Sequence, residues 1–272
     1  MVDTISLLDS YLRELRLPTL LRNYRQVAQD AASAQLPYDS FLLALLEQEI
    51  SQRERNRQHN RIKAARFPFL KEFSDFDFTC LQSPTSPQVL TLAQGQYIPA
   101  AEPIILVGNP GLGKTHVAIA LALAACRQGY KVRFYNVAAL LNELLAAQAE
   151  QRLQRFISGA LKQQLIVLDE LGFIPFSPLA AQLLFQFCSA LYERVPLLIT
   201  TNLRFADWSQ VFGDERLCVA LLDRLTHRAH ILEFVGDSYR LRQTRKGVRS
   251  ARKGPSNPVV ELVQEDDHAQ TS

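Results

Sequence analysis

The stretch Gly108-Asn109-Pro110-Gly111-Leu112-Gly113-Lys114-Thr115 fits the pattern G-x-x-x-x-G-K-[ST] at every fixed position, and it limits the possible folds more than any other part of the chain. A loop of this kind belongs between a buried strand and the first turn of a helix. Both flanks comply. Ile104 to Val107 is a short apolar run suited to a strand, and Val117 to Cys126 is rich in Ala and Leu, which suits a helix. Gly108, Gly111 and Gly113 let the backbone turn its N–H groups inward without Cβ clashes, and the helix start adds the positive end of its dipole. The expected ligand is a nucleoside triphosphate, with Lys114 reaching the β- and γ-phosphates and the Thr115 hydroxyl binding Mg²⁺. The competing reading is a glycine-rich strand-to-helix turn that binds nothing; the full match and the fitting flanks disfavour it.

Such a loop needs acids from a neighbouring strand. Leu165-Ile166-Val167-Leu168 is wholly apolar and runs directly into Asp169-Glu170. A buried strand there delivers Asp169 beside the metal held by Thr115 and leaves Glu170 to polarise the water that attacks the γ-phosphate. The bland alternative is a pair of exposed acids where a strand leaves the core. Thr200-Thr201-Asn202 ends another apolar run, Leu197 to Ile199, with a polar tip. In a parallel sheet that end lies near the phosphates, so Asn202 is a candidate for holding the attacking water or the γ-phosphate, against the alternative of a turn or cap. Arg224 and Arg240 supply guanidinium groups outside the loop; Arg224 is read either as a stabiliser of phosphoryl charge or as a surface ion pair with Asp223 or Glu215.

Around these pieces strands and helices alternate. Tyr130 to Tyr135 and Ile231 to Phe234 read as further strands, and Ala138 to Leu161 and Leu179 to Tyr192 as helices. The expected fold class is α/β, a parallel sheet covered by helices on both faces. Before it, residues 1 to about 80 read as helical. Ile5, Leu8, Leu12 and Leu15 recur at helical spacing, and a helix opening near Asp39 or Ser40 carries Phe41, Leu42, Leu45 and Leu46 as its expected buried stripe. That helix turns basic, and Arg53, Arg57 and Arg61 fall on one face four residues apart. A row of arginines among Asn and Gln suits a nucleic-acid phosphate track; a solvated face, or one turned to an acidic partner, is the alternative. Phe67, Phe69, Phe73, Phe76 and Phe78 are expected to form a small hydrophobic cluster. Ser83-Pro84-Thr85-Ser86-Pro87 is rich in breakers. The expected division is therefore a helical part at 1–82, a nucleotide-binding part at 83–242, and a basic then acidic disordered tail at 243–272.

With 47% apolar and 21% charged residues, the chain is expected to be globular and soluble, and its formal charge of +3 says little about partners. The N-terminus has no basic and apolar leader and no run is long enough to span a bilayer, so a cytoplasmic location without membrane contact is expected. Cys80, Cys126, Cys188 and Cys218 are scattered and read as ordinary thiols, not as a metal site or disulfide frame.

Taken together, Gly-Asn-Pro-Gly-Leu-Gly-Lys-Thr-His at 108–116, Leu-Asp-Glu-Leu-Gly-Phe at 168–173, Thr-Asn-Leu-Arg-Phe-Ala-Asp-Trp at 201–208, Leu-Asp-Arg-Leu at 222–225 and Gly-Asp-Ser-Tyr-Arg-Leu at 236–241 resemble the AAA+ ATPases of insertion sequences, the IstB type, whose relatives include the helicase loader DnaC. The likeness spans nearly the whole chain. It implies an AAA+ core without a helical lid, ATP and Mg²⁺ as cofactors, and a nucleotide site that includes His116. Asn202 is similar to the sensor-1 residue, Arg224 to an arginine finger acting in trans, and Arg240 to a sensor-2 arginine. It also implies ATP-dependent homo-oligomers on double-stranded DNA that assist the transposase of the same element in target-site selection and strand transfer. Arg204 departs from the family pattern, which has Pro there. A helicase loader with the same core, and a nucleotide-gated DNA adaptor with little hydrolysis, are the alternatives.

Overall fold

The computed structural model describes residues 4–173, 175–236 and 238. Three helices come first: α1 (Thr4–Glu14), α2 (Pro18–Ser33) and α3 (Tyr38–Ala65). After two short 3₁₀ turns the chain continues as β1 (Leu81–Ser83), α4 (Ser86–Leu92), β2 (Ile104–Gly108), α5 (Lys114–Arg127), β3 (Val132–Asn136), α6 (Val137–Ala149), α7 (Leu153–Ala160) and β4 (Leu165–Leu171). It then runs through α8 (Pro178–Leu191), β5 (Leu197–Thr201), α9 (Trp208–Phe212), α10 (Glu215–Thr226) and β6 (His230–Gly236).

The strands form one sheet in the order β1-β6-β2-β5-β4-β3, parallel except for β1, which runs antiparallel to β6 at the edge. The glycine loop therefore leaves the middle of the sheet, from β2 between β5, which carries Thr200 and Thr201, and β6. Strand side chains alternate between two cores. Ile104, Leu106, Leu165, Val167 and Leu198 join α5 on one face, while Ile105, Ile166, Leu168, Leu197 and Ile199 join α6 to α10 on the other. Burial on both faces is why these strands read as unbroken apolar runs instead of alternating ones.

Several details differ from the sequence reading. The mostly helical stretch expected at 138–161 resolves into two helices, parted where Gln151 adopts a φ of 55°. The acids 169 and 170 lie within β4 instead of after it. Helix α3 starts at Tyr38, with Pro37 as its N-cap. Of the stripe expected on α3, Leu45 is buried with Leu12 and Leu20, but Leu42 and Leu46 are exposed. A layer of three helices offers each member one inward side, so a broad apolar stripe is only partly covered. The expected break before residue 83 falls within β1, which is hydrogen-bonded into the sheet. Four of the five phenylalanines cluster, Phe67, Phe73, Phe76 and Phe78 packing on the α5 face of the sheet, whereas Phe69 is exposed. Residues 243–272, the expected tail, lie outside the described residues.

Candidate functional site

The loop after β2 builds the first half of the site. Gly113 has a φ of +86°, a conformation in which a side chain would be strained, and a Cβ there would also run into the ring of Phe76. Lys114 is buried, and its Nζ donates to the carbonyls of Gly108 at 2.7 Å and Asn109 at 2.9 Å, so the loop is wrapped around its own lysine. Thr115, next in the helix, points across to β4, where its hydroxyl donates to Asp169 Oδ1 at 2.8 Å.

The second half comes from β4 and β5. Asp169 is buried, and its Oδ1 also accepts from the Thr200 hydroxyl at 2.6 Å. Burial pushes its carboxyl above the ordinary value of 3.8, partly offset by the Thr200 and Thr115 hydrogen bonds; Glu170 adds to the rise and Lys114 opposes it. A buried carboxylate with two hydroxyls at one oxygen is a donor set that fits a hard divalent cation. Glu170 is exposed and has a φ of 62°. Its Oε2 accepts from Asn136 Nδ2 at 3.0 Å, while Asn136 Oδ1 accepts from the amide of Ala138 at 3.1 Å at the start of α6. One side chain therefore caps a helix and holds the candidate base.

Between these halves lies a cavity of about 390 Å³ lined by Pro110 to His116, Glu170, Phe173, Thr200 and Asn202. Its other wall is the segment after α3, including Phe69, Lys71, Phe76 and Leu81. His116 ties that wall to the loop, its Nε2 lying 2.8 Å from the carbonyl of Glu72 and its ring edge-on to Phe76 at 5.0 Å. The Glu72 carboxylate is paired with Arg127 at the end of α5.

The structure thus brings together Gly111, Leu112, Gly113, Lys114, Thr115, His116, Asp169, Glu170 and Asn202, with Gly108 and Asn109 holding the lysine. Arg224 is elsewhere. It sits on α10, with Nη1 donating to the Ala220 carbonyl at 3.2 Å and its guanidinium 4.9 Å from the Phe185 ring centre, and it lines a separate recess with Tyr192 and His227. Arg240 lies outside the described residues. The three arginines of α3 do not form one free row. Arg53 is bonded to Glu49 at 2.8 Å and Arg61 to Glu54 at 2.7 Å and to the Cys126 carbonyl at 2.9 Å. Arg61 has 18% of its side chain exposed, against 69% for Arg57, which is 3.7 Å from Glu54. Sequence reasoning missed Asn136, whose signal was a polar residue ending a strand one position before a helix. It also missed the wall at 69–81, for which no local pattern exists.

A central loop of this kind, with carboxylates on the strand two places away in a β6-β2-β5-β4-β3 core, defines a P-loop nucleotide-binding protein. The family model described as IstB-like ATP binding protein matches residues 10–247, and the chain belongs to that family. Among its relatives, the insertion sequence IS21 ATP-binding protein of Pseudomonas aeruginosa is 35% identical over 262 residues, covering 96% of this chain and 98% of that one. The corresponding protein of IS5376 from Geobacillus stearothermophilus is 34% identical over 238 residues, covering 88% and 95%. Among solved structures, that of DnaI superposes with a TM-score of 0.51 at 17% identity, over 61% of this chain and 91% of that one, a likeness of fold. Among the described residues, no helix is long and apolar enough to cross a membrane.

Proposed function

We propose that this chain hydrolyses ATP with Mg²⁺, assembles through its nucleotide sites on double-stranded DNA, and assists the transposase of its own insertion sequence in choosing and using target sites. The observation that carries the hydrolytic part is the hydrogen bond from Thr115 to Asp169, beside a cavity that Thr115 and Glu170 both line behind the glycine loop. Lys114 exchanges the loop carbonyls for the β- and γ-phosphates. Thr115 and Asp169 hold the cation, which when bound neutralises phosphate charge. Glu170 takes the proton of the attacking water, held until then by Asn136, and Asn202 orients the water or the γ-phosphate.

Among the described residues lining the cavity there is no arginine, and Arg224 faces away from it. This supports a guanidinium arriving from a neighbouring subunit, with Arg224 as the donor and homo-oligomers as the working form. Within the division at 1–82 and 83–242, helices α1 to α3 form the DNA- and partner-facing part while residues 69–81 wall the cavity of the ATPase part, with Arg57 the most available of the three α3 arginines to a phosphate. The transposase as partner follows from the insertion-sequence context of the relatives.

The test is nucleotide binding and turnover with and without DNA. Lys114→Ala is expected to lose ATP binding, and Glu170→Gln to bind ATP while turning it over at least about 100-fold more slowly. Normal turnover in Glu170→Gln removes the base assignment, and a wild type without ATPase activity on DNA removes the hydrolytic reading.

A further inference from the structure

β4 and β5 stay in register as far as Leu168 opposite Ile199 and meet again at Leu171 opposite Thr201. β4 thus takes three steps where β5 takes two, and the surplus is a bulge at Asp169-Glu170. The left-handed backbone of Glu170 belongs to this bulge. A bulge turns side chains out of the regular alternation and forfeits ladder hydrogen bonds. Here two hydroxyls of β5 replace them. The Glu170 amide donates to Thr200 Oγ1 at 2.9 Å, and Thr201 Oγ1 donates to the Leu171 carbonyl at 2.8 Å while accepting from the Leu203 amide at 3.1 Å.

The two threonines differ in what else they touch. A hydroxyl has one hydrogen, and that of Thr200 goes to Asp169 Oδ1, the oxygen that also receives Thr115. Thr200 is buried among apolar strand neighbours, where valine has the same shape and an equal liking for the strand. Its hydroxyl therefore acts on the two acids, and the packing of the strand does not need it.

We propose that Thr200 is a positioning residue for the nucleotide chemistry: one hydroxyl sets the Asp169 carboxylate against the cation site and fixes the Glu170 backbone in the bulge that turns its side chain to the cavity. This rests on the ATP and Mg²⁺ reading above. Thr201 staples the same bulge without touching either carboxylate, so it serves as the internal control.

The experiment titrates Mg²⁺ into the full chain with a fluorescent ATP analogue bound, for wild type, Thr200→Val, Thr200→Ser and Thr201→Val. Metal-free nucleotide affinity is expected to be the same in all four. The Mg²⁺ midpoint rises about tenfold or more in Thr200→Val and stays near the wild-type value in the other two, as for a residue that orients a metal ligand. Turnover at saturating Mg²⁺ falls in Thr200→Val with little change in KM and returns with serine. If valine does not fold, Thr200→Ala carries the same expectation. An unchanged midpoint in the hydroxyl-free variant overturns the proposal, as does an equal shift in Thr201→Val, which assigns the effect to the bulge as a whole. A wild type that binds no nucleotide overturns the ATP reading and this proposal with it; normal wild-type binding matched by Thr200→Val removes the role of Thr200 alone.

Discussion

Glu49 offers a quantitative test of how the helical layer is held. Helix α2 opens at Pro18 without a side-chain cap of its own, leaving its first amides in need of acceptors. The acceptor comes from α3: Glu49 Oε2 receives the amides of Thr19 at 2.8 Å and Leu20 at 3.1 Å, and its Oε1 receives Arg53 Nε at 2.8 Å. Only 3% of the side chain is exposed. Burial opposes its charge, but the bonds from Arg53, Leu20 and Thr19 together take its pKa below the ordinary 4.5. Glu49→Gln keeps the shape, removes the charge, and turns one acceptor into a donor facing either the two amides or Arg53. Hydrogen bonds to a charged group contribute about 1.5–3 kcal/mol each and neutral ones about 1. Arg53, with 43% of its side chain exposed, recovers part of its loss from water. The expected destabilisation is therefore about 2–3 kcal/mol, or roughly 4–12 °C in Tm for a unit of this size. The assay is thermal unfolding by far-ultraviolet circular dichroism from pH 7 downward. Because the folded pKa is depressed, the charge stabilises at and above the unfolded value and is lost as the pH falls through the folded one. The gap between wild type and variant is thus full at pH 7 and narrows in acid. A gap below about 0.5 kcal/mol at pH 7, or one that stays constant into acid, refutes the reasoning.

Two further outcomes follow from the site and from α3. Asn136→Asp keeps an acceptor for the α6 amides, so the fold should persist, but it sets a second carboxylate where an amide now donates to Glu170 at 3.0 Å. The like charges repel and the hold on Glu170 is lost, so turnover should fall while Tm stays near the wild-type value; unchanged turnover removes the Asn136 contact from the working state. On α3, Arg57→Gln should lower the salt dependence of DNA binding by about one unit of slope, as for one lost phosphate contact. Arg61→Gln should instead lower stability by about 1 kcal/mol, since it breaks the half-buried bond to the Cys126 carbonyl, with little added by the solvent-screened contact to exposed Glu54. Equal loss of slope in both variants restores a shared DNA face.

What was legible in the sequence is what local pattern determines. The loop at 108–115 announces its strand and helix because the motif requires them, and Leu165 to Leu168 announces a two-sided strand because burial on both faces leaves no polar residue to alternate. The bulge at 169–170 was not legible. Its lost ladder bonds are met by two hydroxyls of β5, Thr200 at Glu170 and Thr201 at Leu171, and nothing in the run from Leu165 to Leu171 encodes that neighbour. Asn136 is the same case: its capping role is local, but its hold on Glu170 joins residues 34 apart in the chain.

The arginines of α3 show how the same limit bears on function. Spacing of four places Arg53, Arg57 and Arg61 on one side of a helix, and spacing cannot say whether that side meets water. In the folded chain Arg53 faces a buried glutamate and Arg61 reaches the carbonyl of Cys126, 65 residues away. Arg61 does so because the end of α3 lies against both α5 and β3, with Ala65 fully buried and the Arg133 guanidinium of β3 donating to the Ala64 carbonyl at 3.4 Å. The basic helix is therefore bolted to the helix that begins with Lys114, and the segment following it supplies a wall of the nucleotide cavity through Phe69 and Phe76. A charge pattern read as a docking face is in good part the joint between the helical layer and the nucleotide site, so substitutions along it must be scored for stability before any change in DNA binding is assigned to lost phosphate contacts.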